Sequence, residues 1–118
     1  MARILMVEDE PLIALMLAEW LTELGHEPIG PASSVSEAIG IISAEKLDAA
    51  IVDINLRGDR CDLVAEELAR RTIPFVFATG GDADSFATCF ASYTRLLKPY
   101  NFKALSRAVD FLCKSNAG

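Results

Sequence analysis

The stretch AAIVDINL, residues 49–56, places one acidic residue, Asp53, directly behind a run of small and branched apolar side chains. A short run that is apolar at every position is typical of a strand buried on both faces of a sheet. An earlier stretch, LMVEDEP at residues 5–11, ends its apolar run in the same way, on Glu8 and Asp9. What these acidic residues can do depends on whether the two strand ends meet in space.

Composition and charge favour one folded domain. With 118 residues, of which 52% are hydrophobic and 24% charged, the chain can bury a core of its own, and we expect one domain over residues 1–118. The net charge of −6 argues against nucleic-acid binding, which needs a basic surface. Apolar runs are too short for a membrane span, and nothing resembles a signal peptide. Three scattered cysteines suggest no metal or disulfide site, so we expect a cytoplasmic protein.

Apolar runs alternate with stretches of helical spacing along the whole chain. The runs are RILMV (3–7), HEPIGPA (26–32), DAAIVDI (48–54), IPFVFATG (73–80) and RLLKPYN (95–101). The helical stretches are 11–25, 34–46, 62–71, a weaker one at 83–91, and 102–115. Helix-starting signals support three of them, namely Pro11, the Ser34–Glu37 capping box and Asn101. Prolines 28 and 31 make the second run an expected edge strand.

Five strands alternating with five helices predict a parallel sheet covered by helices on both faces. Right-handed crossovers favour a three-layer, doubly wound α/β fold of the flavodoxin-like kind, with the strand order 2-1-3-4-5. In that order the chain reverses direction between strands 1 and 3, and ligands bind at the carboxyl ends of the strands there. We therefore expect Glu8, Asp9 and Asp53 to face one another across one crevice.

Two further polar residues end strands at the same edge, Thr79 after the fourth run and Lys98 after the fifth. Carboxylates about 4 Å apart repel one another by about 4 kcal/mol per pair at an effective dielectric constant of 20, which favours a bound cation. Mg²⁺ suits a site with few carboxylates and several waters. With Mg²⁺ and Lys98 in place, the crevice could receive a phosphoryl group, with Asp53 as nucleophile and Thr79 as donor.

Each of these residues has a simpler interpretation when it is taken alone. Glu8 and Asp9 could merely interact with the positive end of the first helix. Asp53 could begin a turn, and Thr79 and Lys98 could be exposed loop residues. Their joint occurrence at the ends of four strands favours the phosphoryl site instead.

The whole chain, from ILMVEDEP through VDINL and FATG to LLKPY, resembles the receiver domain of two-component response regulators. The resemblance implies that Asp53 is the phosphoacceptor. It also implies a Mg²⁺ site made by Asp9 directly, Glu8 through water, Asp53, and the backbone carbonyl of Asn55.

The resemblance further implies that Lys98 contacts the phosphoryl oxygens, that Thr79 hydrogen-bonds to one of them, and that the Lys98–Pro99 peptide bond is cis. Such a domain is not an enzyme with an external substrate, although it promotes its own phosphorylation and dephosphorylation. The phosphoryl donor implied is a histidine kinase or a histidine phosphotransfer protein.

Two features depart from the common receiver pattern. Arg95 stands three residues before Lys98, where many receivers have Tyr or Phe. The segment that follows Thr79 is short, with two glycines and only a weak helix signal. PFVFATGG resembles a subgroup of bacterial stand-alone receivers with a Phe-Ala-Thr-Gly motif and an altered fourth helix. We therefore expect phosphorylation to draw Thr79 inward and to order residues 80–95, which changes contacts with a protein partner.

Other functions have less support in the sequence. The CKSNAG end favours a stand-alone receiver, the alternative being one domain of a longer regulator. A pseudo-receiver that only binds partners is expected to lack at least one among Asp9, Asp53 and Lys98. A haloacid-dehalogenase-like hydrolase also forms an aspartyl intermediate, but EDEP lacks the DxD spacing of that family. Neither of the common glycine-rich nucleotide-binding motifs occurs.

Overall fold

The computed structural model describes residues 2–56, 59–79, 95–97 and 100–117, with side chains at 2–54, 62–78 and 100–113. Its main sheet has five parallel strands, β1 (Arg3–Val7), β2 (Glu27–Ala32), β3 (Ala49–Asp53), β6 (Phe75–Thr79) and β7 (Arg95–Leu97). Two short strands, β4 (Asn55–Leu56) and β5 (Asp59–Arg60), follow β3 in the sequence and pair with each other in an antiparallel orientation. The helices are α1 (Pro11–Glu23), α2 (Val35–Ala44), α3 (Cys61–Arg70) and α4 (Phe102–Ala117).

The order of the strands in the main sheet is β2-β1-β3-β6-β7. This is the predicted order 2-1-3-4-5, with β2 at the edge, and it confirms the doubly wound fold. The hairpin of β4 and β5 was not predicted, and the helix predicted at 83–91 lies outside the described residues. None of the helices in the described part of the chain has the length and apolar character that a membrane crossing requires.

The apolar side chains of the sheet form two cores, one on each face. Alternate residues of β1 and β3 point to opposite faces because side chains alternate along a strand. Leu5 and Val52 belong to the core that α2 and α3 cover. Ile4 and Ile51 belong to the core that α1 and α4 cover. Continuous apolar runs are therefore required in the central strands, and three layers result.

Two of the predicted helix-starting signals form the expected caps. The Ser34 hydroxyl accepts a hydrogen bond from the Glu37 backbone N–H at 3.1 Å, and the Asn101 side chain accepts one from the Ala104 N–H at 2.8 Å. The Glu37 carboxylate accepts from the Ser33 N–H at 3.2 Å, one residue earlier than in the capping box predicted. Pro11 is the first residue of α1, as predicted.

An irregularity in β2 positions the chain where β1 ends. Between the pairs Leu5–Ile29 and Val7–Ala32, strand β2 contains one residue more than β1. Gly30 there has φ +104°, and a Cβ atom on it would lie 2.9 Å from the backbone nitrogen of Ala32. Beyond this bulge, the Ala32 carbonyl accepts a hydrogen bond from the N–H of Glu8 at 2.9 Å. The bulge therefore fixes the backbone at the first acidic residue.

The bulge also contains a cis peptide bond, between Gly30 and Pro31. The cis bond expected at Lys98–Pro99 lies outside the described residues.

Candidate functional site

Three carboxylates converge at the carboxyl ends of β1 and β3. Glu8 and Asp9 follow β1, and Asp53 is the last residue of β3, so that Glu8 lies one residue beyond the pair Val7–Val52. One carboxylate oxygen of each acidic residue lies within 4.8 Å of the other two. We call Glu8, Asp9 and Asp53 the acidic cluster. Their predicted convergence is confirmed, and it follows directly from the strand order.

Most of the acidic cluster is buried. Glu8 and Asp53 are each 3% exposed, and no other charged side chain in the described part of the chain is buried. Asp9 is partly exposed and forms the open side of the cluster. The Glu8 carboxylate accepts a hydrogen bond from the N–H of Glu10 at 3.2 Å, which holds it at the start of α1. A ligand would therefore approach past Asp9, because Glu8 and Asp53 are both buried.

The oxygen atoms of the acidic cluster suit a divalent cation. Three negative charges within 4.8 Å repel one another by about 3–4 kcal/mol per pair at an effective dielectric constant of 20. Two oxygens bound to one octahedral Mg²⁺ ion lie about 3–4 Å apart, because each is about 2.1 Å from the metal. Direct coordination by one or two carboxylates, with a third reached through water, fits this spacing. The residues present therefore fit Mg²⁺.

The neighbouring strand β6 extends to the same edge. In the sheet Asp53 pairs with Ala78, and the N–H of Ile54 donates to the Ala78 carbonyl at 3.0 Å. The backbone of Thr79 is thus one residue beyond the level of Asp53. The Thr79 side chain lies outside the described residues, so the role predicted for its hydroxyl stays a prediction.

Three other predicted features fall partly or wholly on residues that the structure does not describe. Asn55 is the first residue of β4, and the structure describes its backbone only. The role of its backbone carbonyl as a Mg²⁺ ligand stays a prediction. Lys98 lies outside the described residues, as does most of the 80–95 segment. Arg95 is described by its backbone only, which pairs with Phe77 at the start of β7.

Tyr100 is a residue of this site that the sequence analysis missed. Its side chain is 8% exposed, and its hydroxyl oxygen has no hydrogen-bond partner in the part of the chain that the structure describes. Burial raises the pKa of the Tyr100 hydroxyl far above its usual value, and the charges of Glu8 and Asp53 raise it further. A signal was available, since Tyr100 follows β7 at the same edge of the sheet.

Aromatic contacts fix the ring of Tyr100. The Trp20 ring of α1 lies edge-on to it, with the ring centroids 6.5 Å apart and the planes at 63°. Trp20 also meets Phe102 edge-on, at 5.9 Å. Such edge-to-face contacts favour one ring orientation. The hydroxyl of Tyr100 is therefore held in place from the side of α1.

Comparison with known proteins agrees with this geometry. A family model described as "Response regulator receiver domain" matches residues 4–110. The chain belongs to the response regulator receiver domain family. Among curated relatives, the transcriptional regulatory protein PdtaR of Mycobacterium tuberculosis is 33% identical over 112 residues, which are 92% of this chain and 55% of PdtaR. The chain thus spans about half the length of that relative.

Solved receiver structures share the fold. The solution structure of SdrG from Sphingomonas melonis Fr1 is 44% identical, has a TM-score of 0.84, and matches 95% of this chain and 96% of SdrG. The BeF3-activated conformation of SdrG, also 44% identical, has a TM-score of 0.79 over 94% of this chain and 95% of that one. The receiver domain of the sensor histidine kinase PA1611 from Pseudomonas aeruginosa has a magnesium ion coordinated in its active site cleft. It is 21% identical, with a TM-score of 0.81 over 99% of this chain and 98% of the other.

Proposed function

We propose that this receiver domain is the phosphoacceptor of a two-component phosphorelay and that Asp53 carries the phosphoryl group. The observation that supports this most is the convergence of three carboxylate oxygens within 4.8 Å at the ends of two adjacent strands. Buried acidic residues are unfavourable for folding unless their charges are compensated, so such a cluster is typical of a functional site. The existence of a BeF3-activated conformation of SdrG supports the same chemistry, because beryllofluoride mimics a phosphoryl group.

The metal ion of this proposal is Mg²⁺, held by Asp9 and Asp53 directly, by Glu8 through water, and by the Asn55 carbonyl. When bound, Mg²⁺ offsets the charge of the carboxylates and of the incoming phosphoryl oxygens. The magnesium ion in the cleft of PA1611 is consistent with this role on the same fold. Asp53 needs no separate base, since a carboxylate is already the ionised nucleophile.

In the proposed transfer, one Asp53 oxygen attacks the phosphorus of a phosphohistidine. A P–O bond forms while the P–N bond breaks, and the imidazole nitrogen of the donor leaves with the electron pair. Strands β1 and β6 hold β3 from both sides, so Asp53 has a fixed position for in-line attack. Lys98 and Thr79 would bind the equatorial oxygens. The domain itself is not an enzyme with an external substrate in this proposal.

A histidine kinase or a histidine phosphotransfer protein is the proposed donor. Two leucines in the first two turns of α1, next to the acidic cluster, are exposed to solvent, Leu12 by 79% and Leu15 by 58%. These residues are three apart, so they lie on one face of the helix. Apolar side chains beside a phosphoryl site suit the helical surface that presents a donor histidine. Downstream signalling would then pass through the 80–95 segment to a protein partner.

The proposal is tested by phosphorylation with a small phosphodonor. The domain is incubated with acetyl phosphate and MgCl2, and its intact mass is measured. We expect a gain of one phosphoryl group in the unsubstituted domain and none in Asp53→Asn. Asp48→Asn is the matched control, because Asp48 directly precedes the same strand at its opposite end, and this variant should be phosphorylated normally. No gain of mass in the unsubstituted domain with magnesium present would refute the phosphoacceptor function.

A further inference from the structure

The hydroxyl group of Tyr100 is an exception among the buried polar groups of the residues that the structure describes. The side chain is more than nine-tenths buried, and its oxygen meets no donor or acceptor within the described residues. Buried hydroxyl groups in folded proteins nearly always have a hydrogen-bond partner, either a protein group or an ordered water. A partner of the Tyr100 hydroxyl is therefore to be expected in the folded protein in water.

The carboxylates of the acidic cluster can provide hydrogen-bond acceptors for this hydroxyl. Tyr100 follows β7 at the carboxyl edge of the sheet, and Glu8 and Asp53 are the buried carboxylates of that edge. Both lie near enough for their charges to raise the pKa of Tyr100, in addition to the effect of burial. The phenol thus keeps its proton and can donate a hydrogen bond. Trp20 lies edge-on to the Tyr100 ring and restricts its orientation.

We infer that the Tyr100 hydroxyl holds a water molecule between its oxygen and the carboxylates of Glu8 and Asp53, and that it thereby positions Glu8 for a metal ion. Tyr100 is in this sense a positioning residue of the metal site and not a metal ligand. The inference rests on the proposed function, because it concerns the same cation.

A water molecule suits this place for two reasons. A buried water usually makes two to four hydrogen bonds, and here the phenol could donate to it while it donates to the two carboxylates. The proposed contact of Glu8 with Mg²⁺ also runs through water, and Mg²⁺ keeps several waters when it binds to proteins. A residue that orders the water near Glu8 therefore preorganises the water-mediated contact of Glu8 with the metal ion. Hydrogen-bond partners of metal ligands act in this way at other metal centres.

The substitution Tyr100→Phe tests the inference, because it removes the hydroxyl and retains the ring against Trp20. Binding of MgCl2 to the full chain is measured by titration calorimetry, and thermal unfolding is measured without metal. We expect the Mg²⁺ dissociation constant to rise about five-fold, the loss that one hydrogen bond of ordinary strength accounts for. Thr22→Ala is the control, since it removes an exposed hydroxyl of α1, which donates to the Ala18 carbonyl at 2.9 Å, and it should leave Mg²⁺ affinity unchanged.

A crystal structure of the unsubstituted domain at high resolution gives the direct readout. The expected result is a water within hydrogen-bond distance of the Tyr100 oxygen and of a carboxylate oxygen of Glu8 or Asp53. A Tyr100 oxygen bonded directly to a protein group, or surrounded by carbon atoms, would overturn the inference.

The calorimetric outcomes separate this inference from the proposed function. If Tyr100→Phe raises the melting temperature and leaves Mg²⁺ affinity unchanged, the hydroxyl is only an uncompensated buried group and the inference is wrong. If the unsubstituted domain itself binds no Mg²⁺, the proposed metal site is wrong, and the positioning role of Tyr100 is rejected with it. A loss of affinity in Tyr100→Phe alone, with normal binding in the other two proteins, supports both.

Discussion

The sheet has one edge where the parallel strands begin, the amino-terminal edge, and one where they end, the carboxyl-terminal edge. Charges of opposite sign are paired at the amino-terminal edge, whereas three charges of the same sign converge at the carboxyl-terminal edge. Arg3 begins β1 and binds the Glu45 carboxylate at 2.8 Å and that of Glu27 at 3.8 Å. Its backbone N–H also donates to Asp48 at 2.8 Å. At the opposite edge, Glu8, Asp9 and Asp53 come within 4.8 Å of one another.

The ion pairs of Arg3 at the amino-terminal edge are a structural arrangement of charges, whereas the acidic cluster at the carboxyl-terminal edge is typical of a functional site. The pairs around Arg3 are partly or wholly exposed, and exposed ion pairs contribute little, about 0–1 kcal/mol each. The acidic cluster is mostly buried, and its mutual repulsion opposes folding. Three carboxylate oxygens held this close are typical of a site that binds a cation. The same strand, β3, reaches both edges, so substitutions at its two ends allow a direct comparison.

The largest expected effect comes from the bulge that fixes Glu8 at the carboxyl edge. Gly30→Ala should lower the free energy of unfolding by about 2–4 kcal/mol, because a Cβ atom would meet the backbone of Ala32 and Met6 at φ +104°. Chemical denaturation measures the change. Gly40→Ala in α2 is the matched control: nothing lies within 4 Å of the added atom, and stability should rise by about 0.5–1 kcal/mol.

An equal loss of stability in both glycine variants would show that the conformation of Gly30 is not special. Mg²⁺ affinity adds a second measure to this prediction. Where Gly30→Ala still folds, its binding of Mg²⁺ should be weakened, since the Ala32 carbonyl no longer holds the N–H of Glu8 in the same place.

The second prediction compares the same substitution at the two ends of β3. Without metal, Asp53→Asn should raise the free energy of unfolding by about 1–2 kcal/mol, because it removes one of three converging charges. Asp48→Asn should lower it by about 0.5–1 kcal/mol, because it weakens the charged hydrogen bond to the N–H of Arg3. Urea denaturation in EDTA measures both, and opposite signs are the expected result.

Saturating Mg²⁺ sharpens the comparison of the two aspartates. The metal should stabilise the unsubstituted domain more than Asp53→Asn, by mass action on the folded state, so that the advantage of the variant shrinks. Asp48→Asn should respond to Mg²⁺ in the same way as the unsubstituted domain. If Asp53→Asn is destabilised in EDTA as well, repulsion within the acidic cluster is not the dominant effect at this edge.

The contrast between the edges also separates what the sequence could predict from what it could not. Apolar runs that end on acidic residues, in an alternating strand and helix pattern, predict both the strand order and the meeting of Glu8, Asp9 and Asp53. Chain topology alone places these residues together, since adjacent parallel strands end at one edge. No side-chain detail was needed for that part of the site.

Features that depend on tertiary contacts were not predictable in this way. The bulge at Gly30 depends on how β2 pairs with β1, and the hairpin of β4 and β5 on pairing between strands of two residues. The burial of the Tyr100 hydroxyl, which has no hydrogen-bond partner among the described residues, depends on how its ring packs against α1. In the sequence Tyr100 is only one more aromatic residue beyond an apolar run.

The smallest expected effect concerns the paired charges at the end of α3, near the amino-terminal edge. The Glu67 carboxylate accepts hydrogen bonds from the guanidinium groups of Arg70 and Arg71, and these bonds lower the pKa of Glu67 to about 2. A carboxyl group whose pKa is lowered by folding stabilises the folded state above its ordinary pKa of 4.5. This contribution is lost as the pH falls from 4.5 towards about 2.

Glu67→Gln should therefore be slightly less stable than the unsubstituted domain at pH 7, and the difference should vanish on the acid side of that window. Paired urea denaturations at pH 7, 4.5 and 3 measure the difference directly. Glu66→Gln is the matched control, because Glu66 is the exposed neighbour of Glu67 in α3, and its effect should vary less with pH. A difference at pH 3 that is as large as the one at pH 7 would mean that Glu67 acts through packing, and paired charges would then contribute less at this edge than the contacts of Arg3 indicate.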